Sequence, residues 1–319
     1  MFINKFNDTS DVVGAAGFLQ SNLAYLEGEV YRQQYPEFKY STFVPVVTSE
    51  PEYAAQIGVR VLNYRGGLRR YNGIATDQPT ADVAQKVQFV DVHTFSSGYR
   101  FSIVELNQAK MGLLELDVER ALAVRATAEA DTNKIMLRGG LDDNGNFAAT
   151  GEGLFTGPNV PVTTATATID SIVTAGGDVA QKILTVFNAA YRAVYIDQTS
   201  TVHKPNTCIL PATTYQILNS TILGSGNASN LTVLQFLRLN YPDVEFYDDI
   251  NLETAGVGGK KRMVIYKRDV RVIKGHVPMP LRFQQIEGPQ NMTFYVPAIM
   301  RTAGVEWRVP KAAHYVDGI

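Results

Sequence analysis

Four histidines, one cysteine and a few acidic or glycine-rich stretches hold whatever chemistry this chain could perform. His93, His203, His276 and His314 are scattered, with no pair at metal-ligand spacing and no His-Glu-x-x-His helix. They read as structural or surface residues. Cys208 lies in the apolar run Thr207-Cys208-Ile209-Leu210 and reads as a small buried hydrophobe. One cysteine forms no intrachain disulfide, and neither a Gly-x-Ser-x-Gly elbow nor a local cysteine-nucleophile pattern occurs.

Three loop-like stretches imitate binding motifs and fail at defined positions. Thr254-Ala255-Gly256-Val257-Gly258-Gly259-Lys260-Lys261 has the composition of a phosphate loop. Thr254 stands where its first glycine is needed, and Lys261 where a hydroxyl must follow the lysine. A flexible hairpin tip is expected instead. Asp142-x-Asn144-x-Asn146 opens like a calcium loop, but Phe147 occupies the position that requires glycine, so a turn is expected. Asp248-Asp249 reads as a solvated turn, the other reading being a cation site at a symmetry axis. No catalytic, cofactor or metal site is expected, and an α/β hydrolytic enzyme is the most distant reading.

Charge pairing is the remaining chemistry. Arg60, Arg65, Arg69 and Arg70 run without an acid until Asp77, while Glu115, Asp117 and Glu119 cluster farther on. Fork-shaped arginine contacts to such carboxylates can fix the register between two surfaces. Arg65, Arg69 and Arg70 with Glu115, Asp117 and Glu119 are therefore the candidate intersubunit residues.

The elements that must position these groups come next. Residues 1–45 have little periodicity and read as an N-terminal arm. Period-two alternation marks a strand at Ile57, Val59 and Val61, and a second run from Val87 through Phe95 to Ile103. The polar connection between them, near twenty residues, is far too long for a tight turn and suits a projecting arm. From Asn107 to Arg138 no Pro occurs and Gly112 is the one glycine, and Met111, Leu114, Val118, Leu122, Ala128 and Ile135 recur at helical spacing. Gly139-Gly140 should stop that helix. Residues 162–170 read as a Thr-rich linker. Helices are expected at 178–196 and 230–240, and strands at 207–210, 244–247, 263–266 and 270–273. Further strands are expected at 293–296 and through the alternating Val305, Trp307 and Val309.

Apolar residues make up 45% of the 319, and charged residues only 19%, below the roughly 25% usual in soluble proteins. A chain that hides its exterior against copies of itself fits that deficit. The net charge of −2 lacks the basic excess of a free duplex-DNA binder, although a protein that merely encloses DNA needs none. No segment approaches the roughly 18 apolar residues of a membrane span, and no signal core opens the chain.

The order of parts carries a resemblance. An N-terminal arm, a two-stranded arm, a very long helix, an α/β block and return strands together resemble the α+β Hong Kong 97-type fold. Tailed-bacteriophage major capsid proteins and encapsulins share that fold, and the resemblance covers nearly the whole chain. Gly153-Leu154-Phe155-Thr156-Gly157-Pro158-Asn159-Val160 is similar to the family's Gly-Leu-Leu-Asn-x-Pro segment after the spine helix, with Phe155 and Thr156 replacing Leu and Asn. Residues 206–218, a buried strand leading through Pro211 into a helix, are similar to a step in the family's axial domain.

The resemblance implies a division into an N-terminal arm (1–45), an extended arm with flanking strands (46–106), and a spine helix with the first part of a peripheral domain (107–164). An axial domain (165–274) and peripheral return strands (275–319) complete it. Loops 222–230 and 247–262, with Asp248, Asp249, Lys260 and Lys261, would line capsomer centres, and the segment around 283–291 would lie near threefold contacts. The implied role is self-association into pentamers and hexamers that close an icosahedral shell around packaged double-stranded DNA. Implied partners are portal, scaffolding and decoration proteins. A separate scaffolding protein is expected because no long coiled segment precedes the arm. No cofactor and no membrane are implied, and the location is the virion capsid, assembled in a bacterial cytoplasm. An encapsulin-type compartment holding cargo enzyme is the nearest alternative.

Overall fold

The computed structural model describes residues 38–70, 73, 80–105, 116–140, 153–176, 178–223 and 231–319. Its first strands are β1 (Val46–Val47), β2 (Gln56–Arg65), β3 (Asp82–Asp91), β4 (His93–Ser102), β5 (Val162–Thr164), β6 (Thr207–Pro211) and β7 (Glu245–Asp249). They are followed by β8 (Arg262–Tyr266), β9 (Ile273–His276), β10 (Met279–Phe283), β11 (Glu287–Gln290), β12 (Thr293–Thr302), β13 (Gly304–Trp307) and β14 (Ala313–Asp317). The helices are α1 (Leu116–Arg138), α2 (Ile169–Ala175), α3 (Val179–Arg192), α4 (Ala212–Ser220) and α5 (Val233–Asn240). Most of the expected N-terminal arm lies outside the described residues, as do Asn107, Met111, Leu114, the turn at 142–146 and most of the loop 222–230.

A five-stranded mixed sheet, in the order β5-β14-β8-β6-β7, separates two apolar cores. Cys208, Leu210, Met263, Ile265 and Val316 face one core with Ile183, Phe187, Leu237 and Phe246. The alternate residues Ile209, Val264, Tyr266 and Tyr315 face the other, with Met136, Leu137, Phe155 and Trp307. A sheet covered on both faces needs apolar side chains at successive positions, hence the unbroken apolar runs of β6 and β8. The sheet extends beyond 165–274, taking β5 and β14 from either side of that stretch.

β12 pairs along its whole length with β4, and on its other edge with β10 and β11. β9 joins β1 and β13 in a three-stranded sheet. β2 and β3 pair with each other from Gln56↔Asp91 to Arg65↔Asp82, forming a two-stranded ribbon.

Helix ends follow their caps. The Asp178 carboxylate accepts from the Gln181 N–H and starts α3, while Thr232 and Gln235 form a reciprocal capping box at α5. Pro211 precedes α4 as expected. The described part of the long helix, α1, has 23 residues, about 34 Å at 1.5 Å each. It stops at Gly139, whose φ of 98° is open to glycine at little cost.

Several expectations are corrected. The run from Val87 to Ile103 breaks at Val92, whose N–H donates to Ala55 O (3.0 Å). β3 then stays with β2, while β4 joins β12, and 103–105 are helical. Residues 162–170 are no linker: β5 pairs in parallel with β14, and the Thr168 hydroxyl caps α2. The strand expected at 270–273 begins only at Ile273. Asp269 forms a turn there, its carboxylate accepting from Arg271 N and its carbonyl from Val272 N and Ile273 N. α3 gives way at Ala193 to a π-helical turn, Ala193–Gln198. Leu122, expected on the buried stripe of the long helix, is 41% exposed.

Candidate assembly surfaces

The ribbon β2–β3 has two unlike faces, because directly opposed residues of antiparallel strands share a side. One face carries the pairs Gly58/Phe89, Arg60/Val87, Leu62/Gln85 and Tyr64/Val83. Its apolar members are open: Phe89 is 65% exposed, Leu62 53%, Tyr64 79%, Val83 50% and Val87 40%. Ile57, Val59, Ala84 and Val90, on the opposite face, are half-buried. An isolated pair of strands cannot cover both of its faces, so the stripe from Tyr64 to Phe89 is apolar area left for something else.

Of the candidate intersubunit residues, Arg65 ends β2 opposite Asp82, and Arg69 and Arg70 follow it, all three exposed. Glu119 is exposed on α1. Glu115 and the side chain of Asp117 lie outside the described residues. Beside Glu119, Arg120 donates to both Glu105 oxygens and to the Arg100 carbonyl, tying α1 to the end of β4.

The glycine-rich segment after the helix is a clamp on the end of α1. Leu154 N and Phe155 N donate to the carbonyls of Met136 and Leu137 (3.0 and 2.8 Å), and the Thr156 hydroxyl donates to Arg138 O (2.8 Å). These bonds satisfy carbonyls that a helix terminus leaves open. Tyr315 donates its hydroxyl hydrogen to Leu154 O (2.6 Å) and accepts from Gly157 N, and Trp307 Nε1 donates to Gly153 O. A Cβ on Gly153 would meet Arg138 C at 2.6 Å, so glycine is required by close approach.

Beneath the clamp, Arg262 forms a fork-shaped pair with Asp317 and donates to Phe155 O. Burial pushes the Asp317 carboxyl upward, but hydrogen bonds from Arg262 and from Val257 N outweigh it, leaving its pKa below the usual range.

The candidates for capsomer centres occupy three environments. Asp248 and Asp249 end strand β7 and are not a solvated turn, because β7 runs beside β6 up to Asp249. Asp248 pairs with Lys39 (3.3 Å). Asp249 is buried, which raises its pKa, and it caps the following 3-10 turn by accepting from Asn251 N. Lys261 pairs with Asp170 (2.6 Å), whereas Lys260 is exposed. Residues 254–261 are no hairpin tip, since β7 and β8 lie on opposite sides of β6. Val257 N of this stretch donates to Asp317.

Cys208 is buried in the sheet, and burial raises its thiol pKa strongly. His314 lies against Thr163 and Gln198, its pKa lowered by burial. His93 is exposed. Among the described residues no cluster of three or more His, Cys, Asp or Glu side chains is placed to hold a metal ion, and no helix is long and apolar enough to cross a membrane. Sequence reading missed the residues that anchor the ribbon's base: Glu50, Glu52, Arg282 and Arg301. No local pattern marks them, because the partners lie more than two hundred positions apart.

The fold and pattern of this chain have relatives. Residues 70–319 match the sequence pattern of the major capsid protein family. No curated protein matches the chain. Among solved structures, the capsid of Myoviridae phage XM1 superposes with a TM-score of 0.80 at 20% identity, covering 94% of this chain and 98% of that one. The capsid of an empty GTA particle gives 0.62 at 11% identity, over 98% and 99%. A virus-like particle from Pyrococcus furiosus gives 0.54 at 12%, over 86% and 91%. Likeness at these identities is a likeness of fold, and the expected Hong Kong 97-type architecture is the one observed. With more than three quarters of its length matched by the family pattern, the chain belongs to the major capsid protein family.

Proposed function

We propose that this chain closes an icosahedral shell of pentamers and hexamers around the double-stranded DNA of a tailed phage. One observation carries the reading: the ribbon presents Leu62, Tyr64, Val83, Val87 and Phe89 on a single open face, with a compact body behind it that has two cores of its own. Copies of the same chain are the partner that a capsid family supplies. The near-neutral charge supports enclosure of DNA over gripping it. Likeness to the XM1 capsid supports a phage shell over a compartment for cargo enzyme.

In this reading 46–106 is the extended arm, and 107–164 with 275–319 forms the peripheral domain around the spine helix. Residues 165–274 form the axial domain at five- and sixfold axes, where Asp248, Asp249, Lys260 and Lys261 approach capsomer centres. Arg65, Arg69 and Arg70 reach the acidic start of a neighbour's spine helix, at Glu115, Asp117 and Glu119. Portal, scaffolding and decoration proteins are further partners, and assembly takes place in the bacterial host's cytoplasm. The role is structural, with no catalytic step.

Negative-stain microscopy of the purified protein tests the reading, with wild type expected to form closed particles. Reversal of Arg69 and Arg70 to Glu should abolish particles while circular dichroism stays that of the folded subunit. Normal particles from that variant remove the arginine contact. A wild type that stays monomeric at high concentration removes the shell.

A further inference from the structure

The stretch from Ser49 to Ala55 leads from β1 into the ribbon without a strand ladder of its own. Its hold on the body comes from Lys, His and Arg side chains of three strands. Glu50 receives Lys274 Nζ (2.6 Å) and His276 Nδ1 (2.8 Å) from β9. His276 has no exposed surface, and its Nε2 faces Glu306 (3.0 Å), which Arg308 also contacts. The ring thus lies between the two carboxylates, with Glu50 at one nitrogen and Glu306 at the other. Glu52 is gripped by Arg282 of β10 through both carboxylate oxygens.

Arg301 of β12 ties the leg entering the ribbon to the start of β4. Its Nη1 donates to Glu52 O (2.6 Å) and Nη2 to Ala54 O (2.9 Å), on the leg entering β2. Its Nε donates to the Thr94 hydroxyl (3.0 Å), its partner in the β4–β12 ladder, three residues past the end of β3. Its guanidinium also lies 5.9 Å from the centre of the Tyr53 ring. The three acceptors are served by three different nitrogens held in one plane, a spread that the single nitrogen of a lysine lacks.

From this geometry we infer that Arg301, flanked by the Glu52–Arg282 and Glu50–His276–Lys274 contacts, is a clasp that sets the direction in which the ribbon leaves the body. An arm that must meet a neighbour gains by being held in one direction, because a freely swinging arm loses that freedom on each contact. The consequence for assembly rests on the shell reading; the direction itself belongs to the single subunit.

The test places spin labels on the ribbon and the body, through Gln85→Cys and Lys311→Cys, in full-length protein diluted below assembly. Gln85 and Lys311 are exposed, and Cys208 is buried away from the reagent. Wild type should give one narrow distance distribution. Arg301→Lys, which keeps the charge and loses the fork, should lose that narrow component. Arg282→Glu should broaden the distribution too, and pairing it with Glu52→Arg should restore it, because both side chains are partly exposed and the exchange keeps the pair.

An unchanged distribution in Arg301→Lys and Arg282→Glu, with only the thermal midpoint lowered, would overturn the clasp. Failure of the exchanged pair to restore the narrow component would do the same. Should Arg301→Lys not fold, the partly exposed Glu52–Arg282 pair decides alone. A negative distance result leaves particle formation unaffected, and a failure to form particles leaves the distances intact, so the two readings fall separately.

Discussion

Replacing Leu62 and Phe89 by Thr removes the centre and one end of the ribbon's open stripe while introducing β-branched residues suited to strands. Full burial of a Leu or Phe side chain contributes about 1.5–3 kcal/mol. Phe89 is 65% exposed and Leu62 53%, so covering what remains open offers roughly 1–2 and 0.8–1.6 kcal/mol by the same scale. Together that is about 2–3.5 kcal/mol per neighbour contact, equivalent to about 30–300-fold in association. The subunit itself should hardly notice. Surface substitutions usually stay within about 0.5 kcal/mol, although Phe89 does lie across Gly58 and gives the ribbon some local cover. The assay is the concentration at which particles first appear, followed by light scattering, beside the thermal midpoint of dilute subunits. The double variant should assemble only at a concentration raised by that factor. Assembly at the wild-type concentration would refute the stripe as a contact. A fall in subunit stability matching the assembly loss would show that the stripe packs on its own chain.

Two further outcomes follow from the body. Gly153→Ala places a Cβ 2.6 Å from Arg138 C and 2.7 Å from Leu137 O, backbone atoms that cannot step aside. It should cost about 3 kcal/mol and lower the midpoint by roughly 6–12 °C, while Gly140→Ala, with open space around it, should be neutral. Equal midpoints for the two variants in a thermal melt would remove the clamp. Asp317 and Glu306 are both held below the usual carboxylate range. In Glu306, burial pushes upward and is outweighed by hydrogen bonds from His276 and Arg308 and the charge of Arg308. A carboxyl depressed on folding adds stability that is complete above its unfolded value, near 4. That stability is lost as pH falls through the lower folded value. Thermal midpoints should therefore drop on acidification below about pH 4, with a shallower drop in Glu306→Gln; a midpoint flat across that range would contradict it.

Much of the architecture was legible because burial imposes period and composition. The β6 and β8 runs, covered on both faces, could hardly be anything but interior strands, and α3 shows its stripe of Ile183, Phe187 and Ala190 plainly. What escaped has physical reasons. Alternation continues across Val92, so a change of partner from β2 to β12 leaves no trace in the pattern of side chains. β5 lies at an edge with all its residues exposed, and its Thr-rich composition is that of a linker. Glu306 alternates with Val305 and Trp307 as a solvent-facing residue should, yet it is buried against His276. The anchoring of Glu50, Glu52 and Ala54 depends on residues 224 to 249 positions away, beyond the reach of any spacing rule. The open ribbon face was readable only as alternation; that one side stays uncovered is a fact of three dimensions.

The contrast between body and ribbon gives the fold its logic. In the body, polar groups inside the apolar layers meet partners: Arg262 with Asp317, His276 with Glu50 and Glu306, Arg301 with carbonyls of the ribbon's base. An unpaired charge there would cost several kcal/mol, so these contacts matter to the body's stability. In the ribbon the relation is reversed. Its backbone bonds are satisfied between two strands, but half of its apolar surface has no core to enter. Two strands by themselves are marginal in water, so beyond the clasp at its base the ribbon gains stability from whatever covers it. Covering by sister copies makes that gain depend on concentration, as binding always makes stability depend on its ligand. A subunit built this way has its ribbon aimed from the base before assembly and gains the ribbon's remaining stability as the shell closes, since the surface that completes the ribbon is the surface that joins the shell.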